Sequence, residues 1–181
     1  MLRSMRHTHA MEQPQGRGPI EVTVEIPSGS RNKYEYDHAR HRFVLDRVLY
    51  SSVHYPCDYG FIEGSLAEDG DPLDVLVVIA EPTFPGCVVR ARPIGVLHLE
   101  DEHGGDEKLI CVPVDTTFPY YSDVGERQDL PSIVLQQIEH FFTHYKDLEA
   151  EKWVRVGHWG DAEEAKRLIR EAIERYGASK G

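Results

Sequence analysis

Apolar and polar residues alternate early in the chain, where Ile20, Val22, Val24 and Ile26 are separated by Glu21, Thr23 and Glu25. That is the period of a half-buried strand. Further strand-like runs are predicted from Arg42 to Val48, Leu73 to Ala80, Val88 to Leu99 and Lys108 to Val114. Clusters such as Pro27-Ser28-Gly29-Ser30 and Gly104-Gly105 supply turn chemistry between them. Helical spacing arrives late. After Asp129, with Pro131 in the first turn, apolar residues fall at Val134, Ile138, Phe141, Phe142, Tyr145 and Leu148. A second helix is predicted from Asp161, with Glu164 in capping-box position and Gly177 as its stop. Short strands followed by two helices imply an α+β chain, and a small antiparallel barrel flanked by the helices is the simplest architecture.

The 181 residues are enough for one domain with a sizeable core. Residues 1–18 carry no apolar period and are expected to be a disordered extension, leaving 19–181 as the folded domain. Lys and Arg total 20 against 31 Asp and Glu, a net charge of -11. That sign counts against nucleic-acid or anionic-membrane binding, which relies on basic surface. No apolar run reaches the roughly 18 residues of a membrane span, and the first residues lack the apolar centre of a secretory signal. Cys57, Cys87 and Cys111 are widely separated and suit reduced thiols, so a cytoplasmic location is expected.

The acidic residues change the picture most. Glu68-Asp69-Gly70-Asp71-Pro72-Leu73-Asp74 leads straight into a predicted strand. Like charges about 5 Å apart repel by roughly 3 kcal/mol at an effective dielectric near 20, a penalty that a shared divalent ion reverses. An isolated segment of this kind is as often a solvated acidic turn. An EF-hand does not fit, because position six from Asp69 is Asp74 instead of glycine and position twelve is Ala80 instead of glutamate. A second acidic group runs from Glu100 to Glu107. With Gly104-Gly105 as a two-residue hairpin turn, Asp101 is expected opposite Lys108, with Asp106 beside the turn. Two acidic clusters meeting at strand ends would give an all-oxygen site, which favours Mg²⁺ or Mn²⁺. Lys33 and Arg47 could clamp phosphoryl oxygens, with Arg47 offering forked donors. Tyr55, Tyr59, Tyr145 and Lys146 add further donors, although a buried tyrosine more commonly just packs its ring.

Taken in order, Val24-Glu25-Ile26-Pro27, Asn32-Lys33-Tyr34-Glu35, Asp46-Arg47, Tyr55-Pro56-Cys57-Asp58-Tyr59-Gly60, Asp69-Gly70-Asp71-Pro72-Leu73-Asp74, Asp101 through Lys108 and His144-Tyr145-Lys146-Asp147-Leu148 resemble family I soluble inorganic pyrophosphatase of bacterial type. The resemblance implies a five-stranded OB-like antiparallel barrel with the active site at its mouth. It also implies hydrolysis of diphosphate to two orthophosphates by direct attack of a metal-activated water. By position, Asp69, Asp74 and Asp106 would bind the activating Mg²⁺. Asp101 and Asp106 would help hold an ion that arrives with substrate, with Glu25 and Glu35 near further metal positions. Lys33, Arg47, Tyr59 and Tyr145 would grip phosphate, assisted by Lys108 and Lys146. Asp71 is the preferred proton acceptor, with Asp106 the alternative. Mn²⁺ or Zn²⁺ would substitute for Mg²⁺, and Ca²⁺ would inhibit because its bonds are longer and its geometry looser. A homo-oligomer is implied, with a hexamer the first choice.

His38 and His103 resemble a histidine pair of one bacterial subgroup, and with Tyr55 they are candidates for modulating the site. Two rival readings remain open. An OB-like barrel often binds single-stranded nucleic acid through aromatic platforms and a basic groove, and a related metal-dependent enzyme could act on nucleotides. The carboxylates expected at the mouth count against the first. Phosphate release from a nucleoside triphosphate would mark the second.

Overall fold

A computed structural model describes residues 18–181, so the expected N-terminal extension lies outside the described residues except for Gly18. The chain runs β1 (Ile20–Ile26), β2 (Asn32–Asp37), β3 (Arg42–Val48), β4 (Asp58–Phe61), β5 (Asp74–Val77), β6 (Val88–Asp101), β7 (Gly104–Pro113), α1 (Ser132–His144), β8 (Val154–Gly160) and α2 (Ala162–Ser179). Strands pair in the order β1-β4-β5-β7-β6, and a β1–β6 pairing closes five of them into a ring. This is the expected OB-like barrel with one refinement. The β5–β7 junction is parallel while the others are antiparallel, because β7, the return strand of the β6–β7 hairpin, is the one that lies beside β5. The β2–β3 ribbon is a separate two-stranded sheet, and β8 extends the barrel sheet from β6.

Alternation builds the interior. In β5, Val75 and Val77 face one core and Leu76 the other. The Leu76 core also takes Ile138, Phe141 and Phe142 from α1, and the Val75 core takes Ala165, Ile169 and Ala172 from α2. Each helix thus covers one apolar face of the sheet, the burial that stabilises such layers at about 25 cal/mol per Å². Among the described residues, no helix is long and apolar enough to cross a membrane.

Several boundaries differ from expectation: β5 stops at Val77 short of Ala80, β6 runs on to Asp101, β7 begins at Gly104 instead of Lys108, and both helices end elsewhere than predicted. The apolar period of the first helix runs through Leu148, but α1 stops at His144 and Leu148 is 67 % exposed. The second helix has the Asp161 half of the predicted capping box, Oδ1 accepting from the Glu164 N–H at 2.8 Å while the Glu164 carboxylate pairs with Arg167, yet it continues through Gly177 to Ser179. Gly177 is not among the positive-φ glycines, and without that left-handed turn a glycine costs a helix roughly 1 kcal/mol without ending it.

Register irregularities position the site. In β1, Val24 pairs Gly60 and Ile26 pairs Tyr59, so Glu25 is the extra residue of a bulge. Strands come so close there that a Cβ on Gly60 would meet the Thr23 carbonyl oxygen at 2.1 Å, which only glycine avoids. In the ribbon, Lys33 pairs Arg47 and Tyr34 pairs Leu45, making Asp46 the bulged residue. Bulges re-aim side chains in this way beside functional sites.

Candidate active site

A cavity of about 310 Å³ opens between the β2–β3 ribbon, the ends of β1 and β4, and the acidic turn before β5. It is lined by Glu25, Lys33, Glu35, His38, Tyr59, Asp69, Asp71 and Asp74, all singled out by sequence, together with Tyr36, Phe61 and Pro72, which were not. Its size is at the lower end of small-molecule sites, about 300–1,000 Å³. A larger cavity of about 560 Å³ under α1 contains no Asp, Glu, Lys or Arg. The smaller, charged cavity is therefore the candidate site.

Behind Asp74, which lines the cavity, lies Lys108. It is 4 % exposed, and its ammonium bonds both Asp74 and Asp106. Asp74 is its direct pair on the parallel neighbour β5, and Asp106 lies two residues away on the same face of β7. Here the expected hairpin register is corrected. Asp101 pairs Gly104, and Leu97 is the residue opposite Lys108. The turn falls on Glu102 and His103, and the positive φ of +121° falls on Gly104. The cause is local: Asp101 Oδ1 accepts from the His103 N–H at 2.8 Å, an aspartate turn that fixes the corner ahead of the glycine pair. Asp101 is consequently held by Lys146, at 2.9 Å, instead of by Lys108.

Burial and neighbouring charges shift several of these groups in opposite directions. Burial pushes the Glu25 carboxyl up to about 7; its bond from the Tyr36 N–H, at 2.7 Å, works against this, and the nearby Asp74 charge adds to it. Burial also raises Asp106, against the pull of Lys108. Lys108 is raised in turn, because Asp74 and Asp106 together outweigh the desolvation of its ammonium. Burial and then Asp74 push the Tyr59 phenol well up, and the Lys108 ammonium sits 5.7 Å from its ring centre. Burial would raise Asp101, but Lys146 and the His103 N–H hold it below the usual range.

Of the predicted residues, Arg47, Tyr55, Asp101, His103, Asp106, Lys108, Tyr145 and Lys146 are not among those that line the cavity. Arg47 lies beside Lys33, and both approach Asp46. Tyr145 caps α1 and is buried against Phe141. Lys33 and Glu35 touch, as strand alternation predicts. Tyr55 is a buried packing residue, its ring 4.5 Å from Phe141 and 5.5 Å from Tyr59. His38 stands edge-on to Tyr36 and Phe61 in the cavity wall. His103 is 82 % exposed at the hairpin tip, nearest to Glu102 at 3.8 Å. Sequence reasoning missed Glu149, which pairs with Arg47, and gave no role of its own to Glu102, which lies in the second acidic group and pairs with Lys146. No sequence signal marks Glu149; only tertiary contact does.

Among the described residues, no three Asp, Glu, His or Cys side chains are already gathered as a metal cage. Ammonium groups separate the acids instead, Lys108 lying between Asp74 and Asp106 and Lys146 beside Asp101 and Glu102. The donor chemistry nonetheless fits a hard cation. Glu25, Glu35, Asp69, Asp71 and Asp74 offer only carboxylate oxygens to one cavity, and a divalent charge there would favour the ionised form of Glu25, which burial and then Asp74 disfavour.

A family model described as Inorganic pyrophosphatase matches residues 22–177. An inorganic pyrophosphatase of Sulfolobus acidocaldarius is 51 % identical over 156 residues, covering 86 % of this chain and 90 % of the relative. One of Agrobacterium fabrum is 50 % identical over 165 residues, covering 89 % and 93 %. The solved inorganic pyrophosphatase of Helicobacter pylori superposes with a TM-score of 0.89 at 42 % identity, covering 93 % of this chain and 99 % of that one.

Proposed function

The chain belongs to the inorganic pyrophosphatase family, whose members are hydrolases, and from that premise we propose that its site splits diphosphate into two phosphates with Mg²⁺ as the activating ion. The observation that carries this reading is the buried Lys108, bonded to Asp106 and to Asp74, which itself lines one cavity with Glu25, Lys33, Asp69 and Asp71. Anionic substrate and divalent cations need that mixture of acids and bases in one place.

Asp69, Asp74 and Asp106 would hold the activating ion, Asp101 with Asp106 one that enters with substrate, and Glu25 and Glu35 would face further positions. Bound there, divalent ions make water easier to deprotonate and neutralise charge on the leaving phosphate. Lys33, Arg47, Tyr59, Tyr145, Lys108 and Lys146 donate to phosphoryl oxygens and hold diphosphate in line for attack. Asp71 accepts the proton of the attacking water. Its exposure at the cavity supports this role, whereas Asp106 is already engaged by Lys108. The water oxygen bonds to phosphorus, the bridging P–O bond breaks, and both products leave as orthophosphate with no phosphorylated residue.

Mn²⁺ or Zn²⁺ would substitute for Mg²⁺, and Ca²⁺ would inhibit. Residues 19–181 form one catalytic domain, the compartment is the cytoplasm, and the assembly is a homohexamer. Exposed Leu45, Tyr50 and Phe84 supply apolar surface that supports association. Phosphate release from diphosphate, measured with Mg²⁺, with Ca²⁺ and with neither, tests the reading. Release only with Mg²⁺ is expected; folded protein inactive in millimolar Mg²⁺ refutes it. Sedimentation at micromolar concentration tests the assembly, and a 20.7 kDa monomer would exclude it.

A further inference from the structure

The turn after α1 carries a buried acid that none of these roles uses. The Glu149 side chain is 5 % exposed, and burying a carboxylate is costly without charged partners. Its partners come from both directions along the chain. Arg47 Nε and Nη2 both donate to Oε1, at 3.2 and 3.1 Å, and the Lys152 ammonium lies 3.1 Å from Oε2. The arginine is 102 residues away in sequence, so the fold alone makes the pair.

That contact fixes the plane of the guanidinium, which carries five N–H groups in a rigid fork. Glu149 takes the Nε and Nη2 side, while Nη1 donates to Asp46. One hydrogen remains on each of Nη1 and Nη2, a pair suited to phosphoryl oxygens. The same turn carries Lys146, which bonds Asp101 and Glu102 at the β6–β7 tip. The Glu149 N–H also donates to the Lys146 carbonyl, at 2.9 Å. One short turn therefore orients one cation, Arg47, and carries another, Lys146.

We propose that Glu149 is a positioning residue: it does not touch diphosphate, but it holds the Arg47 guanidinium at the angle at which its remaining N–H groups meet a phosphoryl group. The proposal rests on the assignment of Arg47 to phosphate binding made above. It has a distinctive sign. Removing a negative charge from the rim would by Coulomb's law alone tighten binding of an anion, whereas loss of positioning weakens it.

The test compares Glu149→Gln, Glu149→Asp, Arg47→Gln and the Glu149→Gln/Arg47→Gln double variant at saturating Mg²⁺, with KM, kcat and thermal melting measured for each. Glu149→Gln should raise KM for diphosphate roughly 5- to 20-fold, the scale of a lost charge-assisted contact, and change kcat less. Glu149→Asp, which retains the charge, should recover part of this. In the Arg47→Gln background the further effect of Glu149→Gln should fall below about 2-fold, because the two side chains act as one unit. A lowered KM, or effects of the two substitutions that simply multiply, overturns the positioning role. So does normal KM in Glu149→Gln beside impaired Arg47→Gln. Normal KM in Arg47→Gln instead overturns the assignment of Arg47 itself. If Glu149→Gln melts below the assay temperature, Glu149→Asp is read in its place, and a KM matching wild type counts against the proposal.

Discussion

Glu25 offers a quantitative check on the electrostatics of the cavity. Its carboxyl is raised by burial from 4.5 to about 7, so the folded protein holds a proton that the unfolded chain releases. The unfolded state then binds fewer protons between those two values, and stability falls as pH rises through them. Glu25→Gln removes the charge while keeping an oxygen able to accept from the Tyr36 N–H. Without divalent ions, the variant should gain little over wild type near pH 4.5. Its advantage should grow to about 1.4 kcal/mol at pH 5.5 and about 3 kcal/mol at pH 8, since each tenfold difference in proton affinity between the folded and unfolded states is worth about 1.4 kcal/mol. Glu25 lines an open cavity and keeps some solvent contact, so the pH 8 figure is a ceiling. Urea unfolding in a chelator, followed through Trp153 and Trp159 fluorescence at fixed protein concentration, measures the difference. Millimolar Mg²⁺ should close the gap by favouring ionised Glu25 in the folded state. Parallel stability curves for the two proteins from pH 4.5 to about 8 would refute the reasoning.

Three further outcomes are expected. Asp71→Asn should slow hydrolysis by about 10² to 10⁴-fold with Mg²⁺ affinity nearly retained, whereas Asp74→Asn should lose metal activation; equal loss of affinity in a metal titration would contradict the separate roles. Phe141→Ala should cost about 3–5 kcal/mol in urea unfolding, because its buried ring packs on Tyr55 and Tyr145, and a loss under about 1 kcal/mol would show that this core does not depend on it. His103→Gln should retain hydrolysis and alter either its pH profile or the preference between Mg²⁺ and Mn²⁺; superimposable profiles from about pH 6 to 9 would make His103 an ordinary surface residue.

Periodicity in the sequence determined several elements, among them β1, which buries a face, and β3, which stays mostly exposed. β1 and β3 occupy the predicted spans, and the Asp161 cap begins α2, because strand alternation and helix capping are local effects that act within a few residues. The candidate cavity residues were legible for a different reason: acids and bases crowded at strand ends are costly unless they share a ligand. What only the tertiary structure decided is which charge meets which. β4 and β8 carry too few residues of clear pattern to announce themselves, yet β4 supplies Tyr59 to the cavity and β8 borders the β6 hairpin. The aspartate turn at Asp101 set the hairpin register and gave Lys108 to Asp74, and the bulges brought Glu25 and Asp46 to their positions. Glu149 and Arg47 lie too far apart in sequence for any local pattern to pair them. Charge attraction has no sequence period of its own, so its partners are chosen only when strand register and a closed barrel fix which side chains share a buried space.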